Sequence, residues 1–188
     1  MRPISLLAAA AFAAGLLVSG LAAAADRITI ELSSGPVVIE LAEDVAPGHA
    51  ARIKALASAG AYDNVAFHRV IEGFMAQTGD VEFGNMEKDY EPQRAGMGGS
   101  KEPDLKAEFS DRPFVRGAVG MARAQHPDSA NSQFFICFGD ASFLNGQYTY
   151  VGKVVSGMEH VDRIKRGDPA LNGMVENPDR MIKVTVGG

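Results

Sequence analysis

The chain has 188 residues, of which 46% are hydrophobic and 22% charged, and its formal net charge at pH 7 is −5. This size and composition are typical of one globular domain. The acidic balance argues against a broad nucleic-acid interface, which needs lysine and arginine clustered on one face to neutralise phosphates.

The first 25 residues differ in composition from the rest of the chain. A basic start precedes an almost wholly apolar run from Ile4 to Leu21, and three alanines at 23–25 supply small residues for cleavage. This pattern predicts a secretory signal peptide. An uncleaved membrane anchor is the alternative, because the run approaches the roughly 20 residues that span a bilayer. We expect a periplasmic domain of residues 26–188 with no stable membrane association after cleavage.

Short strand-like segments make up most of this domain. Arg27–Leu32 and Pro36–Leu41 alternate apolar and polar residues on either side of a short loop, which predicts a β-hairpin. Six further segments have strand-like patterns, at residues 66–71, 73–77, 117–122, 132–138, 148–155 and 181–186.

Two segments have helical spacing instead. Residues 46–60 place Pro47 at a first helical position, and residues 157–165 place three apolar residues on one face. Because many short strands occur without regular alternation of strand and helix, we predict a mainly β fold, a closed eight-stranded antiparallel β-barrel capped by two α-helices. Residues 81–104 are polar and rich in glycine, and we expect a long surface loop there.

Common catalytic motifs are missing from the sequence. There is no G-x-S-x-G, H-E-x-x-H or C-x-x-C, and the GMGGSK segment at 96–101 lacks the residue order of a phosphate loop. The only cysteine, Cys137, lies in an apolar run, where burial raises a thiol pKa, so we predict that it packs in the core. No metal or other cofactor is expected.

Three stretches are informative together. FHRVIEGFMAQTGD begins at Phe67, GMARAQHPDSANSQFFICF at Gly120 and SFLNGQYTYVGKVVSGMEHVDRI at Ser142. In this order and at these separations they resemble the cyclophilin family of peptidyl-prolyl cis-trans isomerases, from about Arg27 to Val186. With its predicted signal peptide, the chain is similar to bacterial periplasmic cyclophilins.

The resemblance implies roles for eleven residues. Arg69 corresponds to the family's catalytic arginine, and Gln77 and Gln133 correspond to groups that hold the substrate backbone. Phe143 and Tyr148 stand where eukaryotic members often have tryptophan and histidine. The missing indole N–H at Phe143 argues against tight cyclosporin binding. The other implied substrate-binding residues are Phe74, Met75, Ala122, Arg123, Phe135 and Leu144, with Arg123 in place of a common asparagine.

Strand periodicity leaves part of this site unexplained. Strict alternation would place Phe74 and Met75 on opposite faces, unless a bulge at Gly73 re-aims one of them. His68 would point away from Arg69, so we interpret it as structural rather than as a base.

These residue types suit rotation about a peptide bond. Turning an X-Pro bond breaks no covalent bond, so neither a nucleophile nor a proton shuttle is needed. The expected partners are proline-containing segments of unfolded or exported proteins, whose folding the monomeric protein would assist. A proline-binding module or holdase chaperone without turnover is the main alternative, followed by a hydrolase and by a structural envelope protein.

Overall fold

The computed structural model describes residues 26–88 and 90–187 of the chain. The signal peptide predicted at residues 1–25 lies outside the described residues and remains a prediction. Among the residues that are described, no helix is both long and apolar enough to cross a membrane.

The described residues form ten strands and two α-helices. The helices are α1 (Pro47–Ser58) and α2 (Met158–Val161), and single 3₁₀ turns occur at Ser142–Leu144 and Pro169–Leu171. The strands are β1 (Arg27–Leu32), β2 (Gly35–Leu41), β3 (Val65–Ala66), β4 (Arg69–Ile71), β5 (Met75–Thr78), β6 (Ala118–Met121), β7 (Phe134–Cys137), β8 (Tyr150–Ser156), β9 (Arg180–Met181) and β10 (Lys183–Val186).

Eight of the strands form one antiparallel sheet in the order β10-β1-β2-β8-β6-β7-β5-β4, and β3 pairs with β9 separately. The predicted mainly β fold with two helices is confirmed. The closed barrel is not, because the sheet is a curled half-barrel in which the described residues of β4 and β10 form no ladder. The free edge of β4 is bonded instead by the 167–175 segment, through Val70 N–H to Gly173 O and Gly167 N–H to Val70 O. This segment takes the hydrogen bonds that β10 would need to close the barrel.

The central strands bury side chains on both faces of the sheet. Alternate residues such as Ala76, Val119 and Ile136 join the main core with α1. Residues in between, such as Met75 and Phe135, belong to a second apolar cluster on the opposite face. Fully burying one large apolar side chain contributes about 1.5–3 kcal/mol, so both faces stabilise these strands. The second cluster also contains Phe114, Cys137, Ala141, Leu144 and Tyr150.

Helix α1 begins at Pro47 as predicted, but its N-terminus is capped from a distant part of the chain. Ala46, which precedes the helix, offers no side-chain acceptor. The Glu108 carboxylate accepts N–H of Gly48 at 3.1 Å and of His49 at 3.0 Å, and lies 2.6 Å from His49 Nδ1. Burial opposes ionisation of Glu108, but these hydrogen bonds outweigh it, so the pKa of Glu108 is lowered. The cap ties the loop around Glu108 to the helix.

Two predicted segments are shorter than their patterns suggested. The strand predicted at 66–71 is interrupted, because Phe67 N–H bonds to Asp179 O between β3 and β4. The second helix has a single turn. The residues after it form the tighter hydrogen bonds of a 3₁₀ turn, between residues three apart, from Arg163 N–H to His160 O and from Ile164 N–H to Val161 O. The predicted apolar face persists beyond the helix, since Ile164 remains buried.

Candidate active site

Four neighbouring strands place central side chains of the site in one row. Strand pairing aligns Arg69 of β4 with Gln77 of β5, Gln77 with Phe135 of β7, and Phe135 with Gly120 of β6. Residues directly opposite one another in an antiparallel sheet share a face, so a cation, an amide and a ring stand side by side. Gly120 leaves room for the ring, because a Cβ there would collide with Phe135 and Phe114.

These side chains open into a concavity of about 260 Å³, which we call the arginine cleft. Tyr148 meets Phe135 edge to face, with ring centroids 5.9 Å apart. At the rim, Phe143 is 62% exposed and lies 5.3 Å from Phe74 between ring centroids. The cleft thus brings together ten of the eleven residues implied by the sequence: Arg69, Phe74, Met75, Gln77, Ala122, Arg123, Phe135, Phe143, Leu144 and Tyr148.

Phe74 and Met75 both reach the cleft because only Met75 belongs to a strand. Phe74 N–H donates to Ile71 O at 3.0 Å and closes a four-residue turn, in which Gly73 has φ 71°. A positive φ at this turn position favours glycine. Strand alternation begins after the turn, so the bulge suggested at Gly73 is not needed.

Three hydrogen bonds hold the Arg69 guanidinium. Nη1 donates to Gln77 Oε1 at 3.2 Å, Nε donates to the Asn172 backbone O at 3.0 Å, and Nη2 donates to Asn172 Oδ1 at 3.0 Å. An arginine has five N–H donors, so one N–H on each Nη has no acceptor within the described part of the chain. Burial lowers the pKa of Arg69 from its ordinary value, but the guanidinium remains charged at neutral pH.

Arg69 also ends a chain of side-chain amides. Gln77 Nε2 donates to Gln133 Oε1 at 3.0 Å, and Gln133 Nε2 donates to Gly98 O at 2.8 Å. The orientation of Arg69 is therefore coupled through two glutamines to the loop that follows β5. A chain of mutually satisfied hydrogen bonds is more rigid than its isolated members.

A second concavity of about 240 Å³ adjoins the arginine cleft, and we call it the loop cleft. The two clefts share Gln77, Ala122 and Arg123. Gln133 lies in the loop cleft, so it is the one implied site residue outside the arginine cleft. The other residues lining the loop cleft are Gly96, Met97, Gly98, Ala124, Ser129, Asn131 and Ser132.

Asp80 holds the loop-cleft wall in place. Its fully buried carboxylate accepts N–H of Gly96 at 2.7 Å and of Gly98 at 2.9 Å. The same carboxylate accepts N–H of Glu82 and Phe83, so both ends of the intervening segment meet at one side chain. The predicted surface loop is thus fixed where it borders the site.

Sequence reasoning missed Asp80 and Asn172. The Asn172-Gly173 pair is typical of a tight turn, and Asn172 has φ 53°. That signal predicts the turn, but not the contact between Asn172 and an arginine 103 positions earlier.

His68 is buried, as expected of a structural residue, and a Cβ added to Gly96 would lie 2.9 Å from its ring. Neither ring nitrogen has a hydrogen-bond partner among the described residues, and burial lowers the pKa of His68 to about 4. Burial raises the pKa of the Cys137 thiol to about 12. Both groups are therefore neutral at pH 7.

Comparison with known proteins gives consistent results. Residues 27–186 match the family model described as cyclophilin type peptidyl-prolyl cis-trans isomerase/CLD. The chain is 61% identical over 187 residues to a probable peptidyl-prolyl cis-trans isomerase of Brucella suis, covering 97% of this chain and 95% of that protein. A peptidyl-prolyl cis-trans isomerase of Acinetobacter baylyi is 34% identical, covering 90% and 88%. The crystal structure of a Cryptosporidium parvum cyclophilin type isomerase, in the presence of the dipeptide Ala-Pro, is 25% identical with a TM-score of 0.72, covering 86% of this chain and 99% of that one.

Proposed function

The chain belongs to the cyclophilin type peptidyl-prolyl cis-trans isomerase family, and we propose that this isomerase turns X-Pro bonds in the arginine cleft with Arg69 as its catalytic residue. The observation that carries the proposal is the hydrogen bonding of Arg69. Three of its N–H groups are held by the protein, and the other two, which have no acceptor among the described residues, lie beside an apolar wall.

The reaction needs stabilisation of a twisted amide. Planarity of the peptide bond comes from resonance, and the barrier to its rotation is about 18–20 kcal/mol. An uncatalysed X-Pro bond crosses this barrier in tens to hundreds of seconds. At the top of the barrier the proline nitrogen is pyramidal and its lone pair is localised, so the nitrogen can accept a hydrogen bond that the planar amide cannot.

A free N–H of Arg69 donates that hydrogen bond. Because the bond forms fully only in the twisted state, it lowers the barrier without deepening the ground state. A hydrogen bond to a charged group contributes about 1.5–3 kcal/mol, which corresponds to a rate factor of about 10 to 150. The three bonds to Gln77 and Asn172 support this role, since they orient the donor before substrate arrives.

The apolar wall supplies the remaining effect. Phe135, Leu144 and Met75 are nearly inaccessible to solvent, and Phe74 and Phe143 form the opposite rim. A proline ring clamped there leaves the preceding carbonyl free to rotate against a fixed frame. Gln77 and Gln133 hold the substrate backbone. When substrate binds, the hydrogen bond between these two side chains is replaced by hydrogen bonds to the substrate backbone.

The test is cis-to-trans relaxation of a short Ala-Pro peptide with wild-type protein and Arg69→Ala. We expect wild-type acceleration and a loss of about 10- to 150-fold in kcat/KM in the variant, from the hydrogen-bond energy above. Arg112→Ala is a matched control, because Arg112 is an exposed arginine paired with Asp44 outside both clefts. If folded wild-type protein gave no acceleration, the isomerase proposal would be wrong and a proline-binding module without turnover would be favoured. If Arg69→Ala were as fast as wild type, Arg69 would not be the catalytic residue.

The physiological part of the proposal is that the protein is exported to the periplasm, where it acts as a monomer and assists folding. The composition of residues 1–25 supports export. Exposed Met97 and Phe143 beside the clefts support contact with unfolded segments. Mass spectrometry of the purified periplasmic protein should find an N-terminus at Asp26. Retention of Met1 in the membrane fraction would favour the anchor instead.

A further inference from the structure

The two clefts carry positive charge on a protein whose formal net charge is −5. Their lining includes two charged side chains, Arg69 and Arg123, and no carboxylate. Neither arginine belongs to an ion pair among the described residues. A concave site lined by charge of one sign focuses the field and attracts ligands of the opposite sign. A bound segment therefore meets two uncompensated cations.

Arg123 lies where the two clefts join, since it lines both. Its Nη1 donates to the backbone oxygens of Ala124 at 2.9 Å and Gln125 at 3.1 Å, and its Nη2 donates to Gln147 O at 2.9 Å. The guanidinium carbon is 4.5 Å from the centre of the Tyr148 ring. These contacts fix the charge in place. They leave one N–H of Nη2 with no acceptor among the described residues, while Nε, which also lacks an acceptor there, is buried.

We propose that this isomerase prefers prolines flanked by aspartate or glutamate, and that Arg123 is the residue that determines the preference. The inference rests on the proposed function, in which proline occupies the arginine cleft. A residue next to that proline lies at the junction of the clefts, where its carboxylate is attracted by the fixed charge of Arg123. The Arg69 charge, which lines the arginine cleft together with Arg123, adds to this attraction.

Three carboxylates behind the loop cleft limit the size of the effect. Asp80 accepts N–H of the lining residues Gly96 and Gly98. Asp104 Oδ1 accepts from Asn131 Nδ2 at 2.9 Å, and Glu82 Oε2 accepts from Gly99 N–H at 3.4 Å. None of the three carboxylates lines the cleft, and all are held by these bonds. They weaken the field without cancelling it, so we expect a preference of about threefold to tenfold, as for a partly exposed charge pair.

The experiment compares peptides that differ only in glutamate or glutamine directly before or directly after proline. For each peptide, kcat/KM is measured with wild-type protein, Arg123→Gln and Arg123→Lys, after circular dichroism has confirmed folding. The glutamate-to-glutamine ratio is taken within one protein, so any change in basal turnover cancels. Raising the salt to about 1 M, where the Debye length is about 3 Å, tests the charge effect on wild-type protein without a substitution.

We expect a wild-type ratio of about 3 to 10 for at least one flanking position, falling to about 1 in high salt and in Arg123→Gln. Arg123→Lys should keep a ratio above 1, because it keeps the charge. Equal rates for both peptides at both positions would overturn the preference while leaving the isomerase activity established by the glutamine peptides. A glutamate preference that persists in Arg123→Gln would overturn the role of Arg123. Failure to accelerate any peptide would overturn the proposed function and this inference together.

Discussion

Replacing Asn172 with glycine removes one of the three hydrogen-bond acceptors that hold the Arg69 guanidinium. The side-chain Oδ1, 3.0 Å from Nη2, is lost, while the backbone O that accepts from Nε remains. Glycine adopts the positive φ of residue 172 freely, so the turn is preserved. The substitution therefore tests positioning of Arg69 with little disturbance of the backbone.

The expected size of the effect follows from this one bond. A hydrogen bond to a charged group at a partly exposed site is worth about 1.5 kcal/mol, the lower end of its range. If that free energy favours the catalytic orientation of Arg69 over its next rotamer, its loss reduces kcat by up to about tenfold. KM should change less, because the apolar wall that we propose as the binding site of the proline ring is intact. Asn172→Asp keeps an acceptor and should recover most of the lost kcat.

The assay is peptide relaxation at several peptide concentrations, with urea unfolding of each variant to measure the free energy of unfolding. Leu171→Ala is the matched control, since Leu171 is 57% exposed in the same turn and takes no part in the three hydrogen bonds that hold the Arg69 guanidinium. Wild-type kcat in Asn172→Gly would refute the positioning argument. So would an Asn172→Asp variant as slow as the glycine variant.

Further predictions concern the apolar wall, His68 and Glu108. Phe135→Leu should lower kcat/KM by about tenfold and the free energy of unfolding by about 1–2 kcal/mol, because it removes the ring between Tyr148 and Phe114. Wild-type turnover in a folded variant would contradict the proposal that the apolar wall clamps the proline ring. His68 has a pKa of about 4 in the folded state and about 6.5 in the unfolded state, so between these pH values the unfolded state binds a proton that the folded state does not. Urea unfolding should therefore show that about 3 kcal/mol of the free energy of unfolding is lost as pH falls from about 6.5 to about 4, and this loss should be absent in His68→Leu. Turnover should stay flat between about pH 6 and 8, since native His68 is neutral throughout. Glu108→Gln should cost about 1–2 kcal/mol at pH 7. Because the folded pKa of Glu108 is depressed, the difference from wild type in the same unfolding measurement should begin to fall below the unfolded pKa of about 4.3 and disappear as pH falls through the lower folded pKa.

Local patterns were enough to predict most of the fold. Alternation in Arg27–Leu32 predicts β1 with its observed bounds, and Pro47 marks the start of α1. The open edge of the sheet could not be predicted this way, because it depends on which distant backbone reaches β4. The 167–175 segment has no strand periodicity of its own, yet its hydrogen bonds to Val70 replace those of a closing strand.

The site shows the same division between local and distant information. Through the family resemblance, the three stretches that begin at Phe67, Gly120 and Ser142 identified the residues that line the arginine cleft, including Phe74, whose position strand alternation alone did not explain. Asn172 and Asp80 act through single contacts made across the fold, and neither residue type nor spacing specifies such contacts. The loop cleft likewise depends on where Asp80 anchors Gly96 and Gly98, which only the structure provides.

The anchoring of two loop ends by one carboxylate has a consequence for protein engineering. Asp80 binds Glu82 and Phe83 on the outgoing side and Gly96 and Gly98 on the return side. The chain between these points starts and finishes at a fixed place, so lengthening it adds only the small loop-closure entropy of the extra residues. Foreign peptide sequences grafted after Lys88 would leave the four Asp80 hydrogen bonds intact, and with them the wall of the loop cleft. The fold thereby offers a ready insertion point for recognition elements that direct the isomerase to a chosen client.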